Sequence, residues 1–388
     1  MGNTQEKRGN DRRINVLHMV SWYYSVTEES PVASFHTELC LGLSKYCNVA
    51  IYYPYERNLN DEYCVRDEFG IPTYRSKYRL EDKIQNRLYM YRCMKKIIAE
   101  FHPDIIHGHV GTEAGRFATI LGKIFHIPVI ITEHSSAKLS GVDSFPHHQY
   151  AWLTYRLSRR NICVSDALTQ DLKKIFPRYQ FETIYNGIII PDDIDEYIKN
   201  SVNYYIEGAV NAIMVAGMYD MYIKGVHMVI PVLKRLKDEG CHIAFHFVGD
   251  GEYRNAFEQM AIDNGVKDIC IFHGWMDKKD VFSIVNQMDF LVSASRYESF
   301  GCTMAEALMM GTPVLATDSG GSRSIVNESN GIMIEEYSED AIYEGFKEMI
   351  SCFDSYDHNA MKEESREKFS IDHEALAYMD IYKSIIAG

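Results

Sequence analysis

RYESFGCTMAEALMMGTPVLATDSGG, residues 296–321, reads as a strand-to-helix corner, a short apolar helix and a strand. The run before it, DFLVSAS, has the apolar content of a buried strand. The chain then turns at Glu298-Ser299-Phe300-Gly301 and enters a helix near Cys302, which Gly311 and Pro313 stop. Glu298 therefore falls at the corner, and Glu306 about one turn into the helix. The N–H groups of residues 300–302 face out of the helix start, where an anion is favoured. An anion there, with a carboxylate on each side to accept hydroxyl hydrogen bonds, matches a sugar–diphosphate–ribose ligand. Two acids near a helix start also serve simply to complement the helix dipole. Glu306, however, is set in MAEALMM, where a solvated face is not expected.

Working outward, the same alternation fills both halves of the chain. INVLHMV (14–20), NVAIYYP (48–54), PDIIHGHV (103–110) and PVIITEH (128–134) read as strands between helical stretches at 30–46, 80–101, 113–125 and about 146–160. The pattern restarts with NAIMVAG (211–217), HIAFHFVGDG (242–251), DFLVSAS and TPVLAT. Strands alternating with helices predict parallel sheets covered on both faces. The polar, acidic stretch 191–210 is the expected linker. The expected fold is α/β, with two doubly wound domains. The first spans 1–190, the second 191–371, and a last helix at about 372–388 packs back on the first. Ligands of such folds bind beyond the carboxyl ends of the strands.

Composition narrows the function classes. The chain has 388 residues, 46% hydrophobic and 24% charged, enough for two cores. Residues 1–200 carry 25 Lys and Arg against 24 Asp and Glu, and the remainder 15 against 30. An acidic second half excludes a broad nucleic-acid surface, so no nucleic acid is expected as partner. The neutral first half is the side that would meet a lipid surface. No apolar run is long enough for a membrane span and no signal peptide is read, and Glu6 breaks a myristoylation signal. The nine Cys lack paired spacing, as expected of reduced thiols in a cytoplasm. His107 and His109 alternate on one strand, one face, without a third metal ligand placed by sequence. A DxD occurs at Asp193-Ile194-Asp195 in the acidic linker, where a solvated cluster is expected rather than a metal site.

The opening stretch resembles the E-x7-E motif of retaining GT-B glycosyltransferases of the family 4 type. Further segments resemble that family in order: PDIIHGH, ITEHSS, IYNGI, GMYDMYIKG (217–225), FHFVGDG, IFHGWM, TDSGGSRSIV and NGIMI. The resemblance spans roughly 14–340. It implies two Rossmann-like domains facing a shared cleft, and sugar transfer from a nucleotide-diphosphate sugar donor with retention and without a metal. Glu298 would bind donor-sugar hydroxyls and Glu306 the ribose. Gly217 would close on the phosphates and Lys224 would neutralise them. Ser299, Phe300, Gly301 and Cys302 would hold sugar and phosphate through the backbone, and His134 would face the donor. Glu298, His134 and Lys224 are the expected catalytic group. The implied acceptor is a glycan or lipid-linked intermediate of surface-polysaccharide synthesis. The implied location is cytoplasmic, with a peripheral contact at the inner face of the membrane, for which the aromatic and basic segment HHQYAWLTYRLSRR (147–160) is a candidate. An ordinary packed helix with snorkelling arginines accounts for that segment equally.

Two departures stand out. The family's phosphate-binding Arg falls on Met218, and Arg323 in GGSRSIV is proposed to replace the missing cation. The first loop, SWYYSVTEESPVASF, has Ala33 where one subgroup has Gly. A nicotinamide oxidoreductase lacks support, because no G-x-G-x-x-G joins a strand to a helix. A nucleotide-sugar epimerase of the same architecture, or an impaired sugar-nucleotide-binding subunit, remains the alternative.

Overall fold

A computed structural model describes residues 12–24, 35–136 and 141–388. Ala33, Glu6 and most of the first loop lie outside the described residues. The chain divides into two compact units. Residues 1–133, 144–161 and 375–388 form one, and 134–143 with 162–374 the other.

The strands of the first sheet are β1 (Asn15–Met19), β2 (Asn48–Glu56), β3 (Tyr63–Glu68), β4 (Ile71–Lys77), β5 (Ile105–His109), β6 (Val129–Glu133), β7 (Arg160–Cys163) and β8 (Glu182–Thr183). Their order is β3-β4-β2-β1-β5-β6-β7-β8, and the division between units falls within β7. From β4 to β6 the pairs are parallel. The second sheet contains β9 (Val210–Val215), β10 (Ile243–Val248), β11 (Cys270–Gly274), β12 (Phe290–Ser293), β13 (Val314–Thr317) and β14 (Gly331–Ile334). It runs β11-β10-β9-β12-β13-β14, all parallel. Parallel strands need both faces covered, and β1, β5, β6, β10 and β12 are buried along nearly their whole length.

The β3–β4 hairpin is not foreseen by periodicity. Pro72 and the charges in VRDE argue against strand, and the hairpin closes through Phe69 and Gly70, both at positive φ. It holds Arg75, which has no exposed surface. The guanidinium pairs with Glu56 at 2.9 Å and Glu68 at 3.0 Å, and donates to the Tyr24 carbonyl at 2.6 Å. The rings of Tyr23 and Tyr24 lie 5.0 and 4.8 Å from it.

The stretch 191–210 is not wholly irregular: Ile194–Lys199 is a short helix. The last helix, Ile371–Ala387, starts in the second unit, and its later turns belong to the first. There the Tyr382 hydroxyl meets His107 Nδ1 at 2.7 Å, and Tyr378 meets Thr132 at 2.9 Å.

Candidate active site

The order of the second sheet reverses direction between β9 and β12, so a crevice opens beyond the carboxyl ends of those two strands. The loop after β9 carries Gly217 to Gly225, and the segment after β12 carries Ser295 to Gly301. Two of the sequence-predicted residues meet there. Lys224 Nζ donates to Glu298 Oε1 at 2.6 Å, and the Ser295 hydroxyl donates to the same oxygen at 2.8 Å. The pair is partly open, with side-chain exposures of 35% for Lys224 and 17% for Glu298.

Backbone contacts fix both partners. Gly225 has φ +76°, and a Cβ there would lie 1.9 Å from the Ala294 carbonyl oxygen, so only glycine lets the Lys224 loop approach β12 this closely. The Arg296 N–H donates to Ile223 at 2.8 Å, which ties the two loops together. Glu298 donates its N–H to Ser319 and accepts from Gly321, both at 2.9 Å. Gly301, at φ +106°, precedes the helix Cys302–Met310. Phe300 is buried, with its ring near those of Tyr185 and Phe369. Ser299 and Cys302 are half-buried beside it. Apolar contacts thus anchor the corner below, while its polar groups point outward.

Glu306 is half-buried on the same helix, and Lys278 lies 3.7 Å from it. That lysine, from the helix Lys278–Asn286, is not legible in the local sequence. Met218, on which the resemblance places the family's Arg, is buried in the core of the second unit. Arg323 is well exposed and held by Asp318, its Nε 2.7 Å from Oδ1. It lines a cavity of about 320 Å³ together with Glu298, Ser299, Arg296 and Lys174. Arg296 and Lys174 are cations that sequence reasoning did not single out. Ser136 also lines this cavity, whereas His134, two residues earlier, does not. Burial holds the His134 imidazole neutral by lowering its pKa to about 3.

In the first unit the corresponding reversal lies between β1 and β5. A cavity of about 600 Å³ opens there, walled by Trp22, Tyr23, Tyr53, Tyr55, Tyr78 and Phe117, with Arg57 and Glu113 at its polar side. The Arg75 network underlies this wall through Tyr23.

The metal question has two parts. Asp193 and Asp195 of the DxD each face a lysine: Lys279 lies 2.6 Å from Asp193, and Lys362 3.4 Å from Asp195. His107 and His109 do share a face, and His18 of β1 joins them, its Nδ1 3.1 Å from His109 Nε2. Both His107 nitrogens already meet hydroxyls, Tyr382 and Thr132, at 2.7 Å. A metal there would have to displace those bonds.

Comparison with known proteins bears on the family and the fold. Residues 206–368 match the model of glycosyl transferases group 1, and 32–190 that of glycosyltransferase family 4. An uncharacterised glycosyltransferase of Methanocaldococcus jannaschii is 27% identical over 301 residues, covering 72% of this chain and 75% of that protein. A putative teichuronic acid biosynthesis glycosyltransferase of Bacillus subtilis is 23% identical, covering 74% and 73%. Among solved structures, sucrose-phosphate synthase of Thermosynechococcus elongatus superposes with a TM-score of 0.74 at 15% identity, covering 97% of this chain and all of that one. HepE of Anabaena, in complex with UDP, superposes at 0.71 and 17% identity, over 96% of this chain and all of that one. These neighbours establish the GT-B fold of two parallel-sheet α/β domains. The two models divide most of the chain between them, and the chain belongs to the family 4, group 1 type of glycosyltransferases.

Proposed function

We propose that this glycosyltransferase moves a sugar from a nucleotide-diphosphate donor to an acceptor hydroxyl, with retention and without a metal. The observation that carries the reading is the Lys224–Glu298 pair beyond the carboxyl ends of β9 and β12, beside the helix that starts after Gly301. The donor's phosphates displace Glu298 from Lys224 and take the ammonium themselves. The freed carboxylate then accepts from the sugar hydroxyls. Glu306 receives the ribose, and the backbone at Ser299, Phe300, Gly301 and Cys302 faces sugar and phosphate. Gly217 allows close approach, and Arg323 with Arg296 supplies positive charge that Met218 does not. His134 contributes as a neutral hydrogen-bonding group, consistent with its lowered pKa.

In the reaction, the bond from the anomeric carbon to the diphosphate oxygen breaks first. Positive charge grows on the carbon, and the acceptor oxygen bonds to it from the same face. The departing phosphate takes the acceptor proton. Positioned cations stabilise the charge on the leaving group, and no enzyme nucleophile is required. We assign donor binding to residues 191–371 and acceptor binding to 1–190. The aromatic cavity between the β1 and β5 loops is the acceptor side, because tyrosine faces stack on sugar rings while their hydroxyls hydrogen-bond. The acceptor class is a glycan or a lipid-linked intermediate of surface-polysaccharide synthesis, and we place the enzyme in the cytoplasm.

The test is a screen of UDP- and GDP-linked sugars, with and without EDTA, on wild type and Glu306→Ala. Diphosphate release that survives EDTA and is lost in the variant supports the reading. NMR of the transferred anomer checks retention. Donor binding without turnover under any condition points instead to a sugar-nucleotide-binding subunit, and an altered sugar without acceptor to an epimerase.

A further inference from the structure

Glu133 ends β6 with only 2% of its surface exposed, and no step of the proposed transfer uses it. Burial pushes its pKa up to about 7, and among the described residues no cation opposes that rise. A carboxyl group costs more to bury than an apolar side chain, so packing alone does not account for it. Its Oε1 accepts two hydrogen bonds, from the Gly111 N–H at 2.6 Å and from the Tyr155 hydroxyl at 2.8 Å. A Cβ on residue 111 would lie 2.5 Å from that oxygen, so the approach requires glycine.

The carboxyl group holds a strained turn. Val110, just past β5, is β-branched yet sits at φ 66°, in the left-handed region. Its carbonyl accepts from Glu113 at 3.1 Å and from Gly115 at 3.0 Å. The Thr154 hydroxyl donates to the Gly111 carbonyl at 2.8 Å, and the Ser21 hydroxyl accepts from the Ala114 N–H at 3.2 Å. Thr154 and Tyr155 both stand on the helix His147–Leu157. Such a backbone persists only where its surroundings over-determine it, and such positions cluster at ligand sites. Here the next residues, Thr112 and Glu113, line the aromatic cavity of about 600 Å³. We propose that Glu133 is a positioning residue, which holds the 110–113 turn so that the Thr112 hydroxyl and the Glu113 carboxylate meet the hydroxyls of an acceptor sugar. The inference rests on the reading of that cavity as the acceptor side. Tyrosine faces accept many sugars, whereas a fixed carboxylate selects hydroxyls by their direction. Glu113 is the residue that selects, and Glu133 acts only through it.

The test uses the full chain without a donor. Binding of p-nitrophenyl glucoside, galactoside and mannoside is read by quenching of tryptophan fluorescence, Trp22 being on the cavity wall. Amide hydrogen exchange is followed over residues 110–117 in the same proteins. Glu133→Ala is expected to speed exchange at Gly111 and Glu113 and to weaken glycoside binding about ten- to a hundred-fold. Glu133→Gln, whose amide oxygen accepts the same two bonds, is expected to bind within about threefold of wild type. Thr154→Val removes one tie to the turn at nearly constant volume. It is expected to move both readouts in the same direction by a smaller factor, and remains informative if Glu133→Ala does not fold. Glu113→Gln is expected to weaken binding about tenfold in the wild type and to add little in the Glu133→Ala background. Tyr78→Ala, on another wall of the cavity, should weaken binding without changing exchange. If no glycoside saturates the wild type, or Tyr78→Ala binds as the wild type does, the acceptor reading fails and this inference with it. If Tyr78→Ala weakens binding while Glu133→Ala changes neither readout, or the Glu133→Ala and Glu113→Gln effects add in full, the positioning role alone is overturned.

Discussion

Replacing Lys224 with methionine separates stability from turnover. The ammonium bonds Glu298 at 2.6 Å but keeps 35% of its side-chain surface exposed, so solvent screens the pair. Partly exposed ion pairs contribute about 1 kcal/mol or less to stability. The Glu298 carboxylate also keeps its bond from Ser295 and reaches solvent, so no buried charge is stranded. The expected fall in melting temperature is therefore about 2–4 °C, judged from domains of 150–250 residues. Catalysis is affected far more. If Lys224 faces the departing diphosphate, its removal resembles the loss of one preorganised donor, about 2.7–4 kcal/mol. That corresponds to about a hundred- to a thousand-fold in kcat, at 1.36 kcal/mol per decade. Lys224→Arg keeps the charge but not the reach, and should fall between. The assay is diphosphate release from the best donor at saturation, beside thermal unfolding of the same preparations. A Lys224→Met enzyme with kcat within about fivefold of wild type refutes the assignment. A loss of activity matched by a collapse in melting temperature refutes the separation.

Other outcomes follow from particular contacts. Gly225→Ala forces a Cβ to within 1.9 Å of the Ala294 carbonyl at positive φ, so the Lys224 loop must shift, with kcat falling more than donor binding. Steady-state kinetics with donor titration checks this. Arg75→Met strands Glu56 and Glu68 in a buried site and should cost about 3–5 kcal/mol in urea unfolding. Replacing all three with apolar residues should recover much of that loss. Burial lowers the pKa of His18 and His134 to about 3 and of His246 to about 4. The unfolded chain therefore takes up protons from about pH 6.5 downward while these residues stay neutral, and stability falls with pH across that window. Unfolding free energies from urea titrations at pH 7 and pH 5 should differ by up to about 2 kcal/mol per histidine, and a flat profile contradicts the burial argument.

The corner at Glu298 was legible because everything that defines it is local. A strand, a glycine at the helix start, a short helix and a Gly-Pro break lie within one stretch, and backbone preference alone puts both acids beside the helix. The alternating pattern likewise determined the parallel sheets, since period and length distinguish strand from helix without any partner. The hairpin is not legible locally, because Pro72, Asp67 and Glu68 argue against a strand. The burial of Arg75 between two glutamates outweighs those preferences. The partners of the site residues were out of reach for a different reason. Lys224 and Glu298 are 74 residues apart, and only the reversal of strand order between β9 and β12 brings them together. Lys278 beside Glu306 and His18 beside His109 also depend on that kind of packing. Sequence by itself determined the fold class and the two acids, because these rest on local backbone and periodicity. Tertiary structure alone decided which charges face one another, because hydrogen bonds and ion pairs between distant segments exist only once the sheets have set their order.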